Sequence, residues 1–248
     1  MKLSIITATY NSEASIVDCL ESISAQTFNA IEHIVVDGAS TDRTLDRVKE
    51  ISPGSIIISE PDNGIYDALN KGISLARGDV IGLLHGDDRF SSAHVVEKIM
   101  LAMENEQFDG IYGDLKYIRE NGAVQRFWKA GEFHPGLIRK GWMPPHPTLF
   151  LRKSVYDRLG PFDISFRIAA DYDFILRLFT DSQFKIGYLP ISFTDMKIGG
   201  VSNRNLKNIL QKSREDLRAL RKNHVPSPIM ALLNKNISKI PQFFKRGQ

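Results

Sequence analysis

Val80-Ile81-Gly82-Leu83-Leu84-His85-Gly86-Asp87-Asp88 is the stretch on which the reading of this chain turns. An apolar run of strand length ends in a glycine and two adjacent carboxylates. The glycine allows a tight turn, so both acidic side chains can stand at the strand's carboxyl end. A hard divalent cation takes oxygen ligands, and Mg2+ or Mn2+ commonly shares its shell between a carboxylate and substrate phosphates. Three earlier runs end in the same manner. Leu3-Ser4-Ile5-Ile6 leads into Thr7-Ala8-Thr9-Tyr10-Asn11. His33-Ile34-Val35-Val36 stops at Asp37 before Gly38-Ala39-Ser40-Thr41-Asp42, and Ser55-Ile56-Ile57-Ile58 precedes Glu60-Pro61-Asp62-Asn63-Gly64. As parallel neighbours these strands would gather four polar endings on one sheet edge, where open α/β sheets bind their ligands.

Between the strands the apolar period changes to that of helices. Ile16, Val17, Leu20 and Ile23 share one helical face over about 13–25, with Asn11 or Ser12 as cap. Leu45, Val48 and Ile51 mark a second helix after Ser40 or Thr41. A third follows Gly64 and closes at Arg77-Gly78, and a fourth carries Val95, Val96, Ile99 and Met103 after Ser91 or Ser92. Strand and helix alternating at this spacing predict βαβ units and a mainly parallel central sheet flanked by helices. Beyond Gln107 the alternation breaks. Phe108 to Ile118 and Ala123 to Trp128 read as strands joined by the turn Glu120-Asn121-Gly122. The Gly- and Pro-rich stretch from Gly131 to Pro147 reads as a binding loop or lid. A strand at Thr148 to Leu151, a helix at Lys153 to Leu159, a helix within Arg167 to Asp181 and a strand at Phe184 to Leu189 follow. A long amphipathic helix from Leu206 to His224 ends before Pro226 and Pro228.

The 248 residues suit one large α/β domain over 1–203, divided here at 107/108 where the alternation breaks, and a basic amphipathic tail (204–248). A net charge of +3 is too small to imply nucleic acid as a partner, and the excess of Lys and Arg lies after Arg204. Lys207, Lys212, Arg214, Arg218, Arg221 and Lys222 stud one helix with Leu206, Ile209, Leu210, Leu217 and Leu220. Lys235, Lys239, Lys245 and Arg246 follow among Ile237, Ile240, Phe243 and Phe244, a pattern that suits an anionic membrane surface. A single cysteine, Cys19, excludes an internal disulfide and a Cys-rich metal site. No apolar run approaches the roughly 20 residues of a membrane span. A strand beginning within two residues of Met1 leaves no room for a signal peptide, so the expected location is cytoplasmic, at or near the inner face of the membrane.

These motifs, in this order and spacing, resemble the family 2 glycosyltransferases over roughly the first 90 residues. Ala169-Ala170-Asp171-Tyr172-Asp173 resembles that family's later acidic motif. Asp62-Asn63-Gly64-Ile65-Tyr66-Asp67-Ala68 together with His146-Pro147-Thr148 looks like bacterial members that build exopolysaccharide, colanic-acid-like or O-antigen units. The resemblance implies a GT-A-like nucleotide-diphospho-sugar transferase fold, with a nucleotide-binding half (1–107), an acceptor-binding half (108–203) and a C-terminal helical extension. It also implies a role for each matching residue. Thr7 and Tyr10 would line the nucleotide base, with Asn11 beside them, and Asp37 would bond the pyrimidine or ribose. Asp62 and Lys71 would help to place the nucleotide and its sugar, and Asp87 would contact the ribose or donor sugar. Asp88 would hold Mn2+ or Mg2+ on the donor diphosphate. Asp171 would be the catalytic base of a single displacement with inversion, and His146 would touch acceptor or phosphate. The acceptor would be a saccharide or lipid-linked intermediate. His85 and Ala170 depart from the commoner pattern, which has Asn or Asp and Glu at these places.

Three other classes fit less well. A dinucleotide oxidoreductase needs a glycine-rich turn after the first strand, where this chain has Thr9-Tyr10-Asn11-Ser12. A nucleotidyltransferase of nucleotide-sugar synthesis needs a basic, glycine-rich phosphate loop, which is missing from the N-terminal region. A noncatalytic nucleotide-sugar binding module could dispense with Asp88 and Asp171, and both are present.

Overall fold

A computed structural model describes residues 1–198 and 206–238. The first half alternates β1 (Leu3–Thr9), α1 (Ile16–Ser24), β2 (Ile31–Asp37), α2 (Thr44–Ile51), β3 (Ile56–Ser59), α3 (Ile65–Leu75) and β4 (Val80–Leu83). It runs on through β5 (Asp88–Phe90), α4 (Val95–Asn105) and the antiparallel pair β6 (Gly110–Ile118) and β7 (Val124–Trp128). Then come β8 (Phe150–Arg152), α5 (Lys153–Leu159), α6 (Ala170–Thr180), β9 (Ile186–Lys197), α7 (Leu206–Lys222) and α8 (Pro228–Ile237).

All described strands join one sheet in the order β3-β2-β1-β4-β8-β6-β9-β5, with β7 added on β6. From β3 to β4 every neighbour is parallel, as the helical crossovers require. The second half makes the sheet mixed. β8 is antiparallel to both β4 and β6, β6 and β9 run parallel, and β5 is antiparallel to β9. The change follows the point where helical crossovers stop. Asp88 itself opens β5, a strand unexpected from sequence, pairing with Met196. The strand expected at 184–189 is the start of the longer β9.

Alternation on β1 and β2 sorts the core into two layers. Ile6, Ala8, Ile34 and Val36 face α3, α6 and α7, whereas Leu3, Ile5 and Val35 face α1, α2 and α4. The fit under α3 is close. A Cβ on Gly72 would lie 2.4 Å from Ile6 Cγ2, so a larger residue would lift this helix and the loop before it.

Two expectations change on packing. The stretch read as a lid is wedged into the core, with Ile138 and Met143 buried and Trp142 edge-on to Phe179 and Tyr112. The segment read as a tail also joins the main body, because Ala219, Leu220, Val225 and Ala231 are buried in the same cluster as Phe174 and Leu178. The boundary expected at 203 and the basic and apolar residues expected beyond Ser238 lie outside the described residues. Lys235, on the inner face of α8, meets Asp216 at 2.8 Å, and both are buried. Burial lowers its ammonium to about 7, against the opposing pull of Asp216.

Asp173 fastens α7 to α6. It is fully buried and receives Arg177 Nε at 3.1 Å, Lys222 Nζ at 3.1 Å and Asn223 Nδ2 at 3.0 Å. Removing one partner from a buried ion pair costs about 3–5 kcal/mol. Asp173→Ala is therefore expected to lose stability on that scale in urea unfolding. A change within experimental error would refute the structural role.

Candidate active site

The four polar endings meet as their parallel neighbours require. Thr9 pairs with Asp37 and Asp37 with Ser59 across β1, β2 and β3, while Leu84 and Gly86 donate to Ile6 and Ala8 beside them. Tyr10 stands out from this edge, 62% exposed. Asn11 ties the first two endings together. Its N–H donates to Ser40 Oγ at 2.8 Å, and its Oδ1 accepts from Thr41 N at 2.9 Å. The strain of φ 46° at Asn11 falls on a residue type that tolerates the left-handed region. Asp62 lies over the second ending so closely that a Cβ on Gly38 would sit 2.7 Å from its Oδ2. Its Oδ1 accepts from Gly64 N at 2.8 Å, which leads the chain into α3.

Lys71 does not reach out from the edge. It grips the third ending, with Nζ 2.8 Å from Glu60 Oε1, 3.2 Å from Pro61 O and 3.6 Å from Asp67 Oδ2. The Glu60 contact, with Asp67, raises its pKa. Lys71 thus braces the loop that carries Asp62. Two other expected ligands turn inward. Thr7 is fully buried, and its hydroxyl is 3.0 Å from His33 Nε2, within the sheet's covered face. Asp37 is fully buried too. Its Oδ2 accepts from Ser40 N at 2.9 Å and Ser59 Oγ at 2.7 Å, and its Oδ1 accepts from Ser40 Oγ. In this structure both side chains point inward and help to hold the turn and sheet.

The acidic pair divides. Asp87 is exposed, while Asp88 is 2% exposed and neither of its carboxylate oxygens has a hydrogen-bond partner. Burial, then the neighbouring charge of Asp87, pushes the Asp88 carboxyl well above its ordinary range. An ionised carboxylate there is costly unless a cation faces it. Among the described residues no group of three or more His, Cys, Asp or Glu could by itself hold a metal. Mg2+-like ions bound through one or two carboxylates plus substrate phosphates do not need one. Two buried oxygens without partners fit such an ion.

Asp171, in the first turn of α6, closes the far side. Its Oδ1 lies 3.0 Å from Tyr66 Oη, whose one hydrogen is shared with Ile168 O at 2.8 Å, and its Oδ2 is 3.2 Å from His146 Nδ1. Burial raises the Asp171 carboxyl, but the charges of His146, Lys212 and Lys235 and the Tyr66 hydrogen bond outweigh it, so its pKa is lowered. Glu215 of α7 accepts from Ile168 N at 2.7 Å and Ala169 N at 3.0 Å, satisfying N–H groups at the entry to α6. His85 stands ring to ring with His146 at 5.8 Å. The charges of Asp88 and Asp171 both act on Tyr117, which carries Arg126 at 4.6 Å over its ring. Tyr66 is a site residue that the sequence reading misses. Tyr66 lies within the quoted Asn63–Ala68 motif, so its position is visible in the sequence although its contact is not.

A mixed α/β sheet with a carboxylate edge and a second carboxylate on a facing helix agrees with the GT-A type of fold that the motifs imply. The chain belongs to Glycosyl transferase family 2, whose model matches residues 4–165, and it is a glycosyltransferase. It is 32% identical over 206 residues to a PGL/p-HBAD biosynthesis glycosyltransferase of Mycobacterium bovis, covering 81% of this chain and 78% of that one. It is 31% identical over 196 residues to the uncharacterized glycosyltransferase YwdF of Bacillus subtilis, covering 75% and 70%. The fold resembles S. aureus TarS 1-349 in complex with UDP-GlcNAc, with a TM-score of 0.71 at 19% identity, covering 96% of this chain and 73% of that one. This chain covers 44% of the longer TarS chain. It also resembles the mannosyltransferase PcManGT from Pyrobaculum calidifontis in complex with GDP-Man and Mn2+, with a TM-score of 0.66 at 16% identity, covering 98% and 73%.

Proposed function

We propose that the enzyme moves a sugar from a nucleotide-diphosphate sugar to an acceptor hydroxyl by one displacement with inversion. The observation that carries this is Asp88, buried with both oxygens unpartnered at the edge shared with Asp62. Tyr10, Asn11, Asp62 and Asp87 form the donor face. Asp88 would hold Mn2+ or Mg2+, which when bound offsets the charge of the leaving diphosphate. Asp171 provides the negative charge that draws the proton from the acceptor hydroxyl. Its place in the first turn of α6 favours the ionised form. A donor screen by thermal shift with Mn2+ tests the reading, since a bound donor raises the midpoint by mass action. No shift with any UDP- or GDP-sugar would refute it.

The acceptor we favour is lipid-linked, the class shared by exopolysaccharide and O-antigen assembly, met at an anionic membrane. No helix among the described residues is long and apolar enough to cross a membrane. Support for surface binding comes from α8, which turns its charged Lys235 inward and leaves Ile229, Met230, Leu233 and Ile237 more than half exposed. Exposed Arg139 and Lys140 belong to the turn against which α8 packs. Apolar anchors beside basic residues suit an anionic headgroup layer. Deleting α8 would strand buried Asp216, so point changes make the better test. Leu233→Glu with Ile229→Glu is expected to abolish sedimentation with phosphatidylglycerol vesicles while leaving donor binding intact. Equal sedimentation by parent and variant would reject the membrane reading.

A further inference from the structure

Both oxygens of Asp171 are already engaged, Oδ1 by Tyr66 and Oδ2 by His146. Of this pair His146 is the more open, its side chain 31% exposed against 14% for Asp171. With Nδ1 turned to the carboxylate, Nε2 is the ring nitrogen left for an incoming hydroxyl. The backbone around it is held firmly. Pro145 and Pro147 flank the histidine, and Thr148 Oγ1 binds Gly113 O at 3.0 Å and Pro145 O at 2.8 Å. We propose that His146 Nε2, oriented by Asp171, is the atom that takes the acceptor proton, with Tyr66 positioning the carboxylate.

The inference rests on the transfer reading above and deepens it. As the acceptor O–H gives its proton to Nε2, the oxygen's electron pair forms the bond to the anomeric carbon. The pair of the breaking anomeric C–O bond leaves with the nucleotide diphosphate. Asp171 stabilises the imidazolium without itself becoming protonated, and the proton then passes to solvent. The surrounding charges agree with this division of roles. A carboxylate held below its ordinary range is a poor proton store near neutrality, whereas an imidazole is better matched. Four groups face His146 or act on it: Asp171 from α6, His85 from the end of β4, Lys212 from α7 and Tyr66 through Asp171. Burial, then the charge of Lys212, lowers the His146 pKa, and Asp171 opposes them. His85, lowered to about 4 by burial and then by His146, stays neutral and adds no competing charge.

The test compares the parent with His146→Gln for nucleotide diphosphate release from UDP-N-acetylglucosamine and GDP-mannose in Mn2+. Water serves as the acceptor over roughly pH 5–9, the range in which a histidine titrates. Donor affinity is measured in parallel by calorimetry. Gln retains an amide donor for Asp171 but no basic nitrogen. The expected result is a kcat lower by on the order of 10²-fold, an unchanged donor Kd, and loss of the acid limb of the pH profile. Release within about threefold of the parent, with the parent's acid limb intact, would overturn the dyad and leave Asp171 acting alone. His146→Asn provides the same comparison if the Gln variant does not fold. If the parent binds neither donor, the same comparison is made with the donor that stabilises it in the thermal-shift screen, and a parent that no UDP- or GDP-sugar stabilises would overturn the transfer reading itself and the dyad with it.

Discussion

Asp88→Ala is expected to abolish transfer and to remove the stabilisation that donor and Mn2+ together give the parent, while leaving the metal-free fold at least as stable. From sequence the residue is placed only at a strand's carboxyl end, where an exposed carboxylate could be lost at little cost. In the structure it is 2% exposed and unpartnered, which reverses the sign of the stability argument. An uncompensated buried carboxylate opposes folding, so its removal relieves a cost. The measurement is a thermal midpoint in EDTA and again in Mn2+ with saturating donor. At a donor concentration of 100 times Kd the parent gains about 2.7 kcal/mol. The variant should gain much less. An equal gain, with normal turnover, would show that Asp88 has no part in holding a metal.

The second large effect is at Asp171. Asp171→Asn preserves shape but removes the charge that draws the acceptor proton, whether the proton ends on the carboxylate or on His146. Transfer is expected to fall by on the order of 10²-fold or more, with donor affinity in Mn2+ retained. Asp173→Asn is the control. Its side chain faces Arg177, Lys222 and Asn223 away from Asp171, so any loss should follow unfolding rather than kcat. Near-normal transfer by folded Asp171→Asn would exclude the single-displacement scheme drawn here.

The sheet edge is legible in the sequence because it depends on local information. A run of apolar residues followed by Asp, Asn or Gly marks both the strand and its polar end, and a helix between two such runs makes them parallel, although not always adjacent, since β3 and β4 flank α3 yet stand at opposite ends of the order β3-β2-β1-β4. Strand order and polar endings are enough to put Tyr10, Asp62, Asp87 and Asp88 on one edge. The direction in which each side chain points is a different matter. Thr7 and Asp37 share that edge, but the pleat turns Thr7 under the sheet toward His33, and Asp37 accepts from Ser40 and Ser59. Nothing in the spacing of polar residues reports whether a neighbour's hydroxyl has already satisfied a carboxylate.

Sequence by itself determined the parallel half of the sheet, the family resemblance and the set of carboxylates from which a metal ligand and a base are drawn. All of these follow from periodicity and short motifs within a few residues. Only the tertiary structure decided that the Gly131–Pro147 stretch is anchored in the core through Ile138 and Met143, and that α7 and α8 belong to the main body. It alone brought Tyr66, His146 and Asp171 together from three separate elements. Tyr66 and Asp171 are 105 residues apart. Contacts at that separation depend on how whole layers pack, and burial, which makes Asp88 a costly charge and Lys235 a weakened one, exists only after they have packed.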